Sequence, residues 1–133
     1  MILTYALRDE LAKQHDPRLP LVGDPVIAAA LAELHRRPDR PWTVHQLSAA
    51  VGMPRRALTQ RFVAAVGQPP MAYLTDWRLA CGARLLRETT APLAAIARQI
   101  GYSTEFAFGG AFRRKYGIAP GRFRSATLSD ATR

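Results

Sequence analysis

The chain has 133 residues, 48% of them hydrophobic, with one cysteine and a formal net charge of +9. That length suits one domain or two very small ones, and the apolar fraction is enough for a core. Cys81 alone excludes an internal disulfide framework and a cysteine-rich zinc site, His15, His35 and His45 lack ligand spacing, and no run of 18 apolar residues offers a membrane span.

Residues 2–15 carry Leu3, Leu7 and Leu11 as an i, i+4 stripe, with Arg8, Asp9, Glu10 and Lys13 outside it. The pattern predicts an amphipathic helix. No basic-then-apolar leader precedes it, so a cytoplasmic protein is expected. The stripe needs cover. Packing on the rest of the chain is the plain reading; a dimer contact or the end of a preceding domain is the sharper one.

Residues 16–24, with Pro17, Pro20 and Gly23, read as a loop. Asp24 is placed to cap a helix that starts at Pro25 and carries Val26, Ile27, Ala30, Leu31 and Leu34 along one face. Pro38 and Pro41 end it. Thr43 can cap a helix over 44–51, stopped by Gly52, and Pro54 opens another to Val66, stopped by Gly67. Residues 71–87 form the longest helical stretch. Short helices over 93–100 and 103–116 stop at Gly101 and Gly117, and 120–126 makes a last turn. No segment alternates with period two, so the fold class is all-α.

The charge is uneven. Residues 1–41 hold six basic and six acidic side chains, whereas residues 42–133 hold thirteen basic ones against Asp76, Glu88, Glu105 and Asp130. The whole excess therefore lies in the last 92 residues. A compact basic region implies a polyanionic partner, usually nucleic acid, sometimes an acidic membrane surface. Arginine outnumbers lysine 17 to 2, and its planar fork suits phosphates and guanine edges. A G+C-rich genome would also favour arginine, but it does not explain the net charge.

A short helix, a glycine and a second helix occur twice. Val44, Leu47 and Gly52 return as Leu93, Ile96 and Gly101, offset by 49. Leu58, Phe62, Gly67, Pro70 and Tyr73 return as Phe108, Phe112, Gly117, Pro120 and Phe123, offset by 50. Such a repeat predicts a duplicated helix-turn-helix unit. Two helices crossing steeply need a small residue where they touch, and Ser48 and Ala97 stand in equivalent places. The turn needs positive φ, which Gly52 and Gly101 can adopt. Leu58 with Phe62, and Phe108 with Phe112, anchor each second helix. In the first unit this leaves Arg55, Arg56, Thr59, Gln60 and Arg61 for base edges and phosphates in a major groove. The linking helix would be about 25 Å long at ~1.5 Å per residue. It could set two recognition helices roughly 34 Å apart, so that one chain fills two successive major grooves.

From Trp42 to Arg124 the chain resembles the DNA-binding domain of AraC/XylS-type transcription regulators. The matching stretches are WTVHQLSAAVGMPRRALTQRFVAAVGQPPMAYL, WRLACGARLL and PLAAIARQIGYSTEFAFGGAFRRKYGIAPGRFR. The resemblance implies seven helices, two helix-turn-helix units joined by a long linker helix, double-stranded promoter DNA as partner, and often RNA polymerase as a second one. It implies no cofactor, metal or membrane. Carried over, Arg56, Thr59 and Gln60 face bases, with Arg55 and Arg61 nearer phosphates. In the second unit the carried-over set is Ser103, Thr104, Glu105 and Ala107, and the family's reading positions fall also on Phe106 and Gly110. Here the chain departs from the pattern, since a polar residue is common where Gly110 stands and Gly109 precedes it. Two glycines inside a helix cost roughly 1 kcal/mol each against alanine. The second unit is therefore expected to grip the backbone, with Arg113, Arg114 and Lys115 supplying charge.

The expected layout is an N-terminal helix and linker over 1–23, a DNA-binding domain over 24–126 and a tail over 127–133. Residues 1–41 are too few for the β-barrel sensor that many family members carry. The chain then reads as a C-terminal piece of a longer regulator or as a sensor-free member, the first being favoured, with dimerisation through 2–15 or the missing sensor. Trp42 and Trp77 are expected as core anchors, Cys81 as a small buried residue, Arg78 as structural and His45 as solvated. Glu105 can accept from a cytosine amine or simply favour a helix N-terminus. Two other classes of function compete. One is a protein-interaction module contacting polymerase or a sensor protein. The other is an enzyme, for which there is no metal cluster, nucleophile with a base, or phosphate loop.

Overall fold

A computed structural model describes residues 23–131. The expected helix over 2–15, with its dimer and sensor readings, lies outside the described residues. Among those described, seven helices run in order: α1 (Pro25–Arg36), α2 (Val44–Val51), α3 (Arg55–Val66), α4 (Pro70–Glu88), α5 (Leu93–Ile100), α6 (Glu105–Tyr116) and α7 (Pro120–Ala131). No described residue lies in a strand. They fall in two compact units. The first holds the described residues up to Arg36 together with Trp42–Met71; the second holds Arg37–Pro41 together with Ala72 onward.

In the first unit the caps follow from residue chemistry. Asp24 Oδ1 accepts from the backbone N–H of Val26 at 3.0 Å and of Ile27 at 3.4 Å, answering two of the orphan donors of α1. The helix buries Ile27, Ala30, Leu31 and Leu34, an i, i+3, i+4, i+7 row against α2 and α3. Thr43 caps α2 in a reciprocal box: its Oγ1 accepts from Gln46 N at 3.1 Å, and Gln46 Oε1 accepts from Thr43 N at 3.2 Å. Ser48 is buried as expected, and its hydroxyl is satisfied by donating to the His45 carbonyl at 2.8 Å. Leu58 and Phe62 on α3 are fully buried, and Trp42 is a core residue.

The second unit is centred on one apolar cluster. Leu79, Ala83 and Leu86 of α4 meet Ile96, Ala97 and Ile100 of α5 and Phe108, Ala111 and Phe112 of α6. Phe112 stacks edge-on against Phe108 and against Phe123 of α7, with ring centres 5.6 and 5.3 Å away. Gly82 lets α4 come close to α6, since a Cβ there would lie 2.9 Å from the Phe108 ring. Cys81 is half-buried beside this cluster rather than inside it, a correction to the expected buried position.

Arg78 draws the segment 37–41 into this unit. Its Nε donates to the Pro38 carbonyl and its Nη2 to the Arg40 carbonyl, each at 2.8 Å. Gly101 is fixed by the same contact. Its φ is 106°, and a Cβ would sit 2.8 Å from Arg78 Nε and 2.9 Å from the Pro38 oxygen. Arg124 Nε donates to the Leu86 carbonyl at 3.3 Å, serving one of the orphan acceptors at the end of α4.

The long helix α4 runs one residue further at each end than expected, and two later boundaries also depart. Thr104 is the N-cap of α6, which starts at Glu105 instead of Ser103. The turn expected over 120–126 is a helix of 12 residues that ends at Ala131. Its Ser and Thr content favours turns in isolation. Here Phe123 is held on the aromatic cluster, which keeps the segment helical, and the Thr127 hydroxyl is satisfied within the helix by donating to the Phe123 carbonyl at 2.9 Å.

Candidate nucleic-acid interface

Burial of Leu58 and Phe62 fixes which way α3 turns. Arg56, Gln60 and Val63 stand at i, i+4 and i+7, on one outward row, and all three are exposed. Arg55 and Thr59 flank that row. With Arg56 and with Val44 of α2 they line an open concavity at the start of the helix. Arg55 is exposed and Thr59 is half-buried. Pro54 stands at the N-cap and provides no side-chain acceptor, so the first N–H groups of α3 have no side-chain cap. The set thus combines two guanidinium forks, an amide, a hydroxyl and bare N–H donors, groups that suit base edges and phosphates.

Arg61 does not share that row. Its guanidinium turns to Asp24, with Nε 2.7 Å from Oδ2 and Nη2 2.6 Å from Oδ1, a two-pronged pair across 37 residues of chain. The Arg61 hydrogen bond holds the Asp24 carboxyl below the usual carboxylate range, helped by the Val26 and Ile27 N–H groups. Asp24 therefore caps α1 and clamps α3 with one carboxylate.

On α6 the buried Phe108, Ala111 and Phe112 leave Phe106, Gly110 and Arg113 as the outward row, with Gly109 and Arg114 beside it. Phe106 is 84% exposed. A Cβ on Gly109 would meet nothing within 4 Å, and one on Gly110 would meet only the tip of Arg114 at 3.4 Å. Arg113 and Arg114 are exposed. Lys115 turns back, its Nζ 3.3 Å from Asp76 Oδ1 on α4. Ser103, Glu105 and Ala107 are exposed at the start of the helix. The Thr104 hydroxyl accepts from Ala107 N at 3.0 Å and so serves as the cap.

Of the residues singled out in the sequence, α3 brings Arg55, Arg56, Thr59 and Gln60 together, and α6 brings Arg113 and Arg114 together. Arg61, Lys115 and Thr104 each hold an intramolecular partner. Val63 on the outward row and Val44 beside the concavity were not among the residues singled out for DNA. For Val63 the signal was present, since it lies seven residues after Arg56. The Asp24–Arg61 clamp joins residues too distant for spacing to reveal. Among the described residues no group of His, Cys, Asp and Glu could hold a metal ion, and no helix is long and apolar enough to cross a membrane.

Two helix-turn-helix pairs, α2 with α3 and α5 with α6, each turning one face of its second helix outward, define a double helix-turn-helix protein. Residues 47–126 match the model of a family described as a helix-turn-helix domain. The chain belongs to that family, in its AraC/XylS branch. A putative AraC-like transcription regulator of Streptomyces antibioticus is 46% identical over 127 residues, 93% of this chain and 42% of that protein. The HTH-type transcriptional regulator AlkR of Acinetobacter baylyi is 35% identical over 126 residues, 93% of this chain and 41% of that one. The chain thus spans about two fifths of the length of the curated relatives it matches. Among solved structures, the DNA-binding domain of the global transcriptional factor AdpA, in complex with a target DNA, is 26% identical with a TM-score of 0.77. That likeness covers 80% of this chain and 96% of the AdpA domain.

Proposed function

We propose that this chain is the part of a bacterial transcription regulator that binds double-stranded promoter DNA in a sequence-specific way. The observation that carries the reading is the outward row of α3, where Arg56 and Gln60 stand clear of a buried Leu58–Phe62 anchor, with Thr59 and Arg55 beside them. Arginine forks match guanine edges and glutamine matches adenine, so this row reads bases by hydrogen bonds. Arg55 faces phosphate. The second unit holds the backbone through Arg113 and Arg114. Arg61 acts through Asp24 by fixing α3, and Lys115 acts through Asp76, so the phosphate contacts fall to Arg55, Arg113 and Arg114. The relatives named as transcription regulators and the AdpA–DNA complex support DNA as the partner. RNA polymerase and a second copy of the regulator follow as further partners, and the bacterial cytoplasm as the place of action.

Selection of duplexes from a random library by the purified chain, at about 150 mM salt, tests this. A recovered consensus with a guanine or adenine block supports base reading by α3. Retention without any consensus would reduce the protein to a phosphate binder.

A further inference from the structure

The internal repeat puts the residues of the two outward rows in correspondence. At an offset of 50, Arg56, Thr59 and Gln60 of α3 correspond to Phe106, Gly109 and Gly110 of α6. Of the four polar side chains on and beside the first row, Arg56 gives way to a phenyl ring and Thr59 and Gln60 to no side chain, while Arg55 gives way to the exposed carboxylate of Glu105. Nothing among the described residues asks for these changes. Phe106 is 84% exposed and so contributes little to the core. Neither glycine is among those with positive φ, and beyond the backbone of its own helix a Cβ on Gly109 would meet no described atom within 4 Å. Glycine in a helix interior is unfavourable, so two adjacent ones with room to spare point to an approach from outside. The partner of that face is negatively charged, because Arg113 on the same row and Arg114 beside it present cations.

From this we infer that Phe106 is a specificity residue that reads the C5-methyl group of thymine, an inference that rests on the DNA-binding reading above. A phenyl ring has no hydrogen bond to offer, and thymine's methyl is the apolar group that base edges present in the major groove. Gly109 and Gly110 let the backbone of α6 come close enough for a side chain near the helix start to touch the base. Arg113, one turn beyond the glycines, takes a phosphate. The two units thus read by opposite chemistry: α3 by hydrogen bonds, α6 by apolar contact.

The test uses the full chain and the duplex recovered by library selection. Thymines are replaced one at a time by deoxyuridine, which removes the methyl and keeps the pairing. At one or two positions wild-type binding should weaken about fourfold, the factor for one buried carbon, while Phe106→Ala should be indifferent to the same change. Gly109→Ala should raise the melting temperature and yet weaken binding. Deoxyuridine that costs wild type and Phe106→Ala equally, or costs neither, would overturn the inference and leave base reading by α3 intact. So would Gly109→Ala that binds as tightly as wild type. A library that yields no consensus takes down the sequence-specific reading, and this inference falls with it.

Discussion

Arg56 and Gly101 show how differently single residues matter here. Arg56 is exposed at the start of α3 and holds nothing in the core. Its replacement by alanine should leave the fold unchanged and weaken binding to a selected site by about 1–3 kcal/mol, with non-specific binding nearly intact. Competition between specific and scrambled duplexes measures this, and equal loss on both would make Arg56 a phosphate contact. Gly101 is the reverse case. With φ at 106° and the Pro38 oxygen 2.9 Å from any Cβ, Gly101→Ala adds a steric clash to the roughly 1–2 kcal/mol of left-handed backbone. Its partner in the repeat, Gly52, has φ of 69° with open space around it, so Gly52→Ala should cost only the backbone part. Thermal melts of the two variants should therefore differ, Gly101→Ala melting lower; equal melting would mean that the Arg78 contact yields freely.

At the scale of elements, the Asp24 carboxylate couples α1 to α3, and acid should uncouple them. Its carboxyl is held below the ordinary value, so the stability it contributes is present above about pH 4 and is lost as pH falls through the depressed value. Asparagine caps helices about as well as aspartate but cannot ionise. Asp24→Asn should keep α1 and flatten the acid limb of stability against pH. An unchanged limb would show that Arg61 lends the carboxylate nothing. The elements themselves were largely legible beforehand. Proline and glycine punctuate α2, α3 and α5 so firmly that their extents match expectation, and the repeat carries the same frame into α6. What failed was local. At α7 only a turn over 120–126 is expected from the sequence, and the aromatic cluster that seats Phe123 extends it to a helix of 12 residues. The capping role of the Thr104 hydroxyl is not legible from the resemblance, which implies a DNA contact there. The exposed phenyl of Phe106 was visible as a letter; that no core position receives it required the packing of Phe108 and Phe112.

For the molecule as a whole, the decisive property is a charge of +9 confined to residues 42–133. Binding driven by phosphate neutralisation falls steeply with salt, each contact adding about 0.9 to the slope of log K against log salt. Arg113→Ala should weaken all duplexes alike and lower that slope by about 1. Lys115→Ala should change it less, since that ammonium lies 3.3 Å from Asp76. Identical slopes for Arg113→Ala and wild type would remove Arg113 from the backbone contacts.

The loop held by Arg78 also bears on inheritance. Residues 37–41 precede the first helix-turn-helix in the chain and yet belong to the second unit. The two units therefore interleave along the gene, and neither corresponds to one uninterrupted stretch of it. A single crossover near residue 71 would give a hybrid whose arginine at 78 meets a foreign loop and whose glycine at 101 faces a foreign carbonyl. Recombination between relatives can exchange the second unit cleanly only by carrying two separate segments at once, so these two units are expected to travel together.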